Sequence, residues 1–364
     1  MRFGLSDEQK MFDDAVRAEL GRALPIERLR ELHDEAAGYV PELHKALCGQ
    51  GLAGICIPEK FGGSGLGLVE AVVAAEALGH AAAPFAFAGG AVMAPLAILR
   101  LGDDQIRQEL LPLIATGERR VGVDFSTRAG VTGMADLQLS GRCLSGSTVA
   151  SLDCAGATDL LIALPHGCFA LAATDSPGVS LTLRPTVDRA RPVAAVTFDN
   201  AEVRLLDHCD EAISVTTDVL AAGRLMLAAD SLGAGQRMID QAVTYAGERE
   251  QFGRVIGSFQ AVKHICAELV GMLEPCRALI WYAAFASQHG QDDGLLNMLH
   301  AKSHLGEVTR DVARMATEVH GGMGFTDLLG LHLWFKRITF DRQALGGPEQ
   351  CRREAAALQG WMAA

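Results

Sequence analysis

The chain has 364 residues, of which 49% are hydrophobic and 21% are charged, a balance typical of globular domains with sizeable cores. Its net charge of −12 argues against nucleic-acid binding, which needs a basic surface, and no polybasic segment indicates an anionic membrane surface as a partner. Nine cysteines are scattered without a CxxC pair, which excludes the common zinc and redox spacings and predicts reduced thiols.

The first ten residues carry Asp7, Glu8 and Lys10 and lack the apolar stretch of a secretory signal. No apolar run reaches the length that a transmembrane helix needs. The sequence therefore predicts a cytoplasmic protein that has neither a nucleic acid nor a membrane as its partner.

Residues 1–118 are predicted to form an N-terminal helical domain. Ser6 can cap a first helix, and Pro41 can open another. A glycine-rich loop at residues 58–67 precedes apolar residues that recur at helical spacing over residues 68–78.

Residues 119–206 are predicted to form a middle domain built on an antiparallel β-sheet or barrel. Short runs of β-prone residues alternate there with turn residues, such as the Pro-His-Gly of residues 165–167. The predicted strands cover residues 137–139, 160–164, 169–173, 179–183 and 193–198.

Residues 212–364 are predicted to be helical again. Three long segments, 220–246, 259–288 and 297–319, contain few helix breakers, although Pro275 would kink the second. Long helices with short connections predict a C-terminal four-helix bundle. The fold class is therefore α+β, with helical, β and helical parts in that order.

The connector between the first two long helices places Arg249, Gln251 and Phe252 close together between glycines. A guanidinium can bind a phosphate through two hydrogen bonds, and a neighbouring aromatic ring can cover a base or ribose. The same Arg could instead hydrogen-bond the last carbonyls of its own helix, so the residues alone leave both interpretations open.

A second motif, GGMGF at residues 321–325, follows the third long helix. Three glycines in four positions permit a close approach of the backbone to a ligand, and exposed N–H groups suit phosphate oxygens. A helix C-cap followed by a turn would carry the same glycines, so this motif alone is also open to a structural interpretation.

Together the motifs resemble those of the acyl-CoA dehydrogenase family. Its members carry Arg-x-Gln-Phe-Gly, which matches residues 249–253, then Phe-Gln, which matches residues 259–260. Their later Gly-Gly-x-Gly-Phe/Tyr matches residues 321–325, and their Pro-Glu-x-x-Gly-Gly-x-Gly resembles residues 58–65. The likeness extends over nearly the whole chain.

The resemblance implies FAD as cofactor, an acyl-CoA thioester as substrate, a flavoprotein as electron acceptor and an oligomer with flavin sites at subunit contacts. In the family, the two C-terminal motifs grip the pyrophosphate and adenosine end of an FAD whose ring usually lies in the neighbouring subunit. The cofactor-binding residues implied here are Arg249, Gln251, Phe252, Gln260, Gly321, Gly322 and Gly324.

The family's reaction is α,β-dehydrogenation, in which a Glu carboxylate takes the α-proton while the β-hydrogen leaves as hydride to the flavin. At the two positions where members place that Glu, this chain has Leu345 and Gly223, and neither side chain can accept a proton. The Trp and Thr that members place against the flavin ring are missing from residues 146–152. The sequence therefore assigns no catalytic residue.

Three hypotheses remain open. The pattern resembles the base-less chains of heteromeric acyl-CoA dehydrogenases, some of which act on bulky substrates such as steroid side chains. The second hypothesis is a self-sufficient homo-oligomer with an unusual base, Glu349 or Asp341. The third is a non-enzymatic assembly protein of the same fold.

His300 and His304 have metal-like spacing without neighbouring ligands, so no metal site is predicted.

Overall fold

The computed structural model describes residues 4–128, 135–165, 167–206 and 212–361. Helices precede and follow a region of strands, which confirms the predicted α+β class and the order of its parts. Residue contacts divide the chain into two compact units, and each unit is made of segments that are not consecutive in the sequence. The first unit comprises Met1–Glu31, Val72–Ala83 and Leu227–Ala364, and the second comprises Leu32–Ala71 and Pro84–Met226. The boundaries predicted for three domains, 1–118, 119–206 and 212–364, stay a prediction.

Capping residues set the starts of the helices that precede the strands. The Ser6 side chain accepts the backbone N–H of Gln9 at 3.2 Å, and the Gln9 side chain accepts that of Ser6 at 2.8 Å, a reciprocal box that confirms the predicted cap. Pro41 occupies the first turn of its helix, as predicted. These helices are α1 (Asp7–Ala23), α2 (Ile26–Asp34), α3 (Pro41–Gly49), α4 (Leu68–His80), α5 (Ala94–Leu101) and α6 (Asp104–Ala115).

A π-helix, Phe87–Met93, leads directly into α5 and was not predicted. All seven of its residues are buried in the second unit. The Gly89 N–H donates to the Asp153 carboxylate at 2.7 Å, and a Cβ at Gly89 would lie 2.7 Å from the Val123 side chain. Only a glycine therefore fits where this helix meets the β region.

Two four-stranded sheets lie in the second unit, in the orders β1-β4-β5-β8 and β2-β3-β7-β6. All five predicted strands are present, but β1, β3 and β8 were missed. The sheets are antiparallel as predicted except that β1 pairs with β4 in parallel. The strands are β1 (Val121–Asp124), β2 (Ala135–Ser140), β3 (Cys143–Ser151), β4 (Asp159–Ala163), β5 (Phe169–Ala173), β6 (Val179–Arg184), β7 (Val193–Glu202) and β8 (Arg204–Leu206).

Alternating side chains of the strands form a core inside the second unit. Val196 and Phe198 of β7 are buried, whereas Thr197 between them is exposed, the period of two that a half-buried strand requires. They pack with buried residues of the neighbouring strands, among them Leu144, Leu160, Ile162, Ala170 and Ala201.

The C-terminal helices belong mainly to the first unit. The three long helices are confirmed, and Pro275 lies within the second of them without ending it. A short hairpin of β9 (Glu250–Gln251) and β10 (Arg254–Val255) joins the first two. The helices are α7 (Ala212–Glu248), α8 (Gln260–Gln288), α9 (Gly294–His320), α10 (Leu331–Gln343) and α11 (Pro348–Leu358).

No apolar run of transmembrane length was expected from the sequence, but by length and composition two helices, α7 and α8, could cross a membrane. In α7 and α8, the most apolar 18-residue windows have mean hydropathies of 1.4 and 1.2. Of the α7 window, 72% is buried inside the structure, and of the α8 window, 39%. A core helix of a bundle is apolar on most sides because it buries that surface against protein, which accounts for the largely buried α7.

One guanidinium, that of Arg337 in α10, is wholly buried in the first unit. It donates to the carbonyl oxygen of Ala82 at 2.9 Å and to that of Ala83 at 3.2 Å, and it lies 3.4 Å from the Asp230 carboxylate of α7. The Asp230 side chain is itself 4% exposed. This arrangement joins α10, α7 and the end of α4.

Replacing Asp230 with Asn should lower the free energy of unfolding by about 3 kcal/mol, because the buried Arg337 charge would lose its counter-ion. Urea unfolding followed by circular dichroism measures the change. The control is Asp7→Asn, since Asp7 is 93% exposed and pairs with Lys10 at the surface. An effect of Asp230→Asn no larger than that of Asp7→Asn would contradict this account.

Candidate functional site

The two motifs lie side by side in the first unit because α7 and α9 pack against each other. Midway along them, the Ser231 and Thr309 hydroxyls form a buried hydrogen bond of 2.7 Å. Near their C-terminal ends, the rings of Tyr245 and His320 lie 4.7 Å apart between centroids. The helices therefore run in the same direction, and both motifs begin at one end of the pair.

A two-residue turn, Phe252 and Gly253, closes the hairpin of β9 and β10. Both residues have positive φ, +54° and +74°, which is the type I′ geometry that suits a tight hairpin. Glycine adopts this conformation freely, whereas in a residue with a bulky side chain it causes steric strain. Phe252 is also 94% exposed, so its strained position is not explained by packing within this chain.

Aromatic and cationic side chains continue along the same connector. The Phe259 ring lies 6.2 Å from that of Phe252, nearly perpendicular to it at 82°. The Arg254 guanidinium lies over the Phe259 ring, 4.0 Å from its centroid. Sequence reasoning did not assign Arg254 to the site, although a cation beside two aromatic residues was the available signal.

Arg249 directly follows the last residue of α7, and its side chain is exposed. Its backbone is fixed at both ends: its N–H donates to the Tyr245 carbonyl at 2.8 Å, and its carbonyl accepts from the Ile256 N–H at 2.7 Å. Among the described residues, no hydrogen-bond or ion-pair partner holds its guanidinium. A charge so placed is available to an anion.

The start of α8 adds positive character to the connector. Phe259 precedes the helix and offers no side-chain cap, so the first N–H groups of α8 lack a side-chain partner in the described structure. Gln260 is the first helical residue, and its amide lies 3.1 Å from the His264 ring. The Gln251 amide donates to the Glu250 carbonyl at 2.6 Å. The hairpin and the α8 start thus bring together four predicted residues, Arg249, Gln251, Phe252 and Gln260.

The glycine motif leaves α9 through a backbone conformation that requires glycine. Gly321 has φ +58° and ψ −140°, which an L side chain would not tolerate. A Cβ at Gly321 or Gly322 would meet nothing within 4 Å, so the loop is open on that side. Gly324 differs, because it is buried and a Cβ there would lie 2.7 Å from the Thr317 carbonyl. Its glycine is explained by packing.

Two large apolar side chains next to this loop are exposed, Phe325 at 84% and Leu328 at 73%. Arg30 holds the segment by donating to the carbonyl oxygens of Asp327, at 2.9 Å, and Leu328, at 2.5 Å. Apolar side chains held outward beside a candidate ligand site indicate a surface that a further molecule covers.

Neither position expected for a catalytic Glu offers a carboxylate. Leu345 is buried and has φ +61°, at the start of a turn that leads into α11. Gly223 is buried within α7. The Lys302 ammonium, which is buried, donates to the Asp341 carbonyl just before that turn.

The two alternative bases are poorly placed for proton abstraction. Glu349 accepts from Arg342 at 3.0 Å, and the backbone N–H at the start of α11 together with that guanidinium holds the pKa of the carboxyl below its usual range. A general base needs a pKa near the working pH, so Glu349 is too weakly basic. Asp341 is 1% exposed.

The β region carries a buried carboxylate instead of the expected flavin contacts. Asp124 accepts from the Ser126 N–H at 3.1 Å and hydroxyl at 3.0 Å, and from the Ser151 hydroxyl at 2.8 Å. Burial raises the pKa of Asp124, and these donors oppose the shift. Ala150 and Leu152 stand where an aromatic ring and a hydroxyl were sought.

His300 and His304 line a groove with Glu307 and Trp361. Across the residues that the structure describes, no three His, Cys, Asp or Glu side chains are grouped as a metal ion would require.

Eight cysteines in that part of the chain are free thiols, and burial raises the pKa of Cys56 to about 12.

Two family models match the chain: the acyl-CoA dehydrogenase N-terminal domain over residues 6–118 and the acyl-CoA dehydrogenase C-terminal domain over residues 213–359. Acyl-CoA dehydrogenase IpdE2 of Mycolicibacterium smegmatis is 31% identical over 97% of this chain and 100% of that relative. Similar architectures occur among solved structures. A variant of the Tcur3481–Tcur3483 steroid ACAD is 29% identical with a TM-score of 0.87, covering 97% of this chain and 98% of that one. PigA with FAD and proline shares the fold at 20% identity with a TM-score of 0.89, covering 99% and 100%.

Replacing Phe252 with Asn should leave the free energy of unfolding unchanged or raise it by up to about 1 kcal/mol, because Asn tolerates positive φ and Phe252 packs little here. Thermal and urea unfolding measure the change. Phe325→Asn is the matched control, since Phe325 is similarly exposed but does not have positive φ. A loss of 1 kcal/mol or more in Phe252→Asn alone would contradict the strain argument.

Proposed function

Because the chain belongs to the acyl-CoA dehydrogenase family, we propose that it is a subunit of an FAD-dependent acyl-CoA dehydrogenase and that a homologous chain supplies the catalytic Glu. The observation that carries the proposal is a contrast within the first unit. The residues suited to a dinucleotide, Arg249 and Phe252, are present and exposed, whereas Leu345 stands at one base position. Gly223, in the second unit, stands at the other.

The described residues fit the adenosine and pyrophosphate half of FAD. Arg249 would bind the phosphates, Phe252 would cover the adenosine, and the open side of Gly321 and Gly322 would admit the ligand close to the backbone. Bound FAD supplies the acceptor for the hydride that leaves the β-carbon of an acyl-CoA thioester. The exposure of all these groups supports their use at a subunit contact.

The same chain is poorly suited to hold a flavin ring of its own. Ala150 and Leu152 offer neither a stacking ring nor a hydroxyl, and Phe125 is buried against the Phe169 ring at 5.5 Å. These features support a division of labour in which this chain contacts a cofactor that its neighbour uses.

The substrate class is proposed from the relatives. One similar structure, 29% identical to this chain, is named a steroid ACAD, and its name joins two designations. We propose an acyl-CoA thioester with a bulky acyl group as the substrate, a flavoprotein as electron acceptor and the cytoplasm as the location.

Co-expression with a catalytic homologue tests the proposal. We expect the chain alone to purify without bound flavin and the pair to carry FAD and to dehydrogenate acyl-CoA thioesters. Arg249→Ala in this chain should reduce the FAD content of the pair by about tenfold or more, as expected for loss of a charge-assisted contact to a phosphate. Absorbance near 450 nm per mole of protein measures it.

The other outcomes select the other hypotheses. An isolated chain that binds FAD stoichiometrically and turns over substrate would establish a self-sufficient enzyme. A pair that never contains flavin would favour a non-enzymatic assembly protein. Lys45→Ala is a control for charge alone, because Lys45 is exposed on α3 in the second unit and lies outside the motifs.

Replacing Glu349 with Gln separates the first two hypotheses without removing FAD. Turnover by the pair should stay within about twofold, because a carboxyl held ionised by Arg342 is a weak base. Glu274→Gln is the matched control, since Glu274 is 61% exposed and Glu349 is 62% exposed, each beside an Arg. Abolished turnover with full FAD content in Glu349→Gln alone would identify Glu349 as the base.

A further inference from the structure

The rings of Tyr245 and His320, which contact each other at a tilt, have no part in the function described so far. Their centroids are 4.7 Å apart with an angle of 31° between the planes. His320 is 4% exposed, and its Nδ1 lies 2.7 Å from the Ala316 carbonyl, to which it must donate. The imidazole is thereby fixed in orientation by its own helix while its face contacts the neighbouring helix.

Each member of the pair adjoins one of the two motifs. The Tyr245 carbonyl accepts the Arg249 N–H at 2.8 Å, so the last turn of α7 carries the Arg249 backbone. On the other side, Gly321 follows His320 directly and closes α9 by donating to the Glu318 carbonyl. A shift of one ring against the other would therefore move one motif relative to the other.

We propose that His320 and Tyr245 are positioning residues that hold Arg249 and the Gly321–Gly322 loop in one arrangement, so that both contact the same adenosine diphosphate moiety of FAD. This inference rests on the proposed function. Two contacts to one ligand reinforce each other only when their separation is fixed before binding, because otherwise binding must order them. The contact between the Tyr245 and His320 rings fixes that separation before the ligand binds.

A second histidine, at the end of α8, provides a control for the loss of a helix-end imidazole with the same Nδ1 hydrogen bond. His289 also donates its Nδ1–H to the carbonyl four residues earlier, that of Phe285, at 2.9 Å. Its ring stacks on Phe285 with a centroid distance of 4.1 Å. No glycine or arginine motif of the candidate site follows His289, so loss of its exposed ring removes an intrahelical ring contact and the same kind of Nδ1 hydrogen bond without disturbing that site.

The experiment is a titration of the 364-residue chain with ADP, which represents the half of FAD in question and lacks the flavin ring. Isothermal calorimetry well below the unfolding temperature gives the dissociation constant. We expect His320→Ala to weaken ADP binding by about tenfold, since small misplacements of paired contacts have effects of that order. Tyr245→Phe, which keeps the ring, and His289→Ala should each stay within about twofold.

A double-mutant cycle distinguishes positioning from general destabilisation. If His320 acts by placing the glycine loop relative to Arg249, then His320→Ala should cost much less affinity in an Arg249→Ala chain than in the native chain. If it acts by loosening the whole fold, the two effects should multiply. Multiplying effects would overturn the proposal.

Two further results are decisive. Equal ADP affinity in the native, His320→Ala and Tyr245→Leu chains would overturn the positioning role and leave the proposed function standing. Absence of ADP binding by the native chain at millimolar concentration would overturn the proposed function and this inference with it. Tyr245→Leu provides the same test should His320→Ala fail to fold, because it removes the aromatic face and keeps the Nδ1 hydrogen bond of His320.

Discussion

The first unit depends on the close crossing of α4 and α7 around Asp230. Gly79 of α4 lies directly on the Asp230 backbone, and Gly233 of α7 lies on the Glu76 carbonyl, so a Cβ at either glycine would collide with main chain. The Asp230 carboxylate then meets the buried Arg337 guanidinium. A buried charge that loses its counter-ion is costly, so this crossing fixes α4, α7 and α10 together. The candidate site begins at the end of α7, so the crossing that fixes α7 also fixes the position of the site.

Several elements were predictable because a local rule decides them. Ser6 and Gln9 form a capping box that is visible in the sequence, and β5 has the bounds that its β-prone run predicts. The three long helices follow from the scarcity of helix breakers. β3 was missed because its residues, rich in Ser and Gly, lack a strong β preference, and its strand is stabilised by pairing with both β2 and β7. The π-helix was missed because its residues carry no periodic signal.

Some features of the candidate site were likewise predictable from the sequence, and others were not. The motifs predicted which residues come together, and the structure places Arg249, Phe252 and the open Gly321–Gly322 loop at one end of the helix pair. Gly324 belongs to the motif, yet contact with the Thr317 carbonyl explains its glycine. The Tyr245–His320 stack could not be predicted, because it joins residues 75 positions apart and depends on the parallel alignment of α7 and α9. Such pairings arise from packing, which a single sequence does not display.

Backbone strain and side-chain exposure differ between the residues near the cofactor motifs and the residue at the base position. A protein keeps an unfavourable conformation only where something else compensates it, and Phe252 at φ +54° with 94% exposure receives little compensation from its own chain. Phe325 and Leu328 do not have positive φ, but their apolar surfaces also remain in water. Leu345, by contrast, also has positive φ but buries its side chain, so its strain is offset within the fold. Phe252 and Phe325 belong to the dinucleotide motifs, whereas Leu345 stands at the base position. That distribution is what a chain would show if it supports a neighbour's cofactor and leaves proton abstraction to that neighbour.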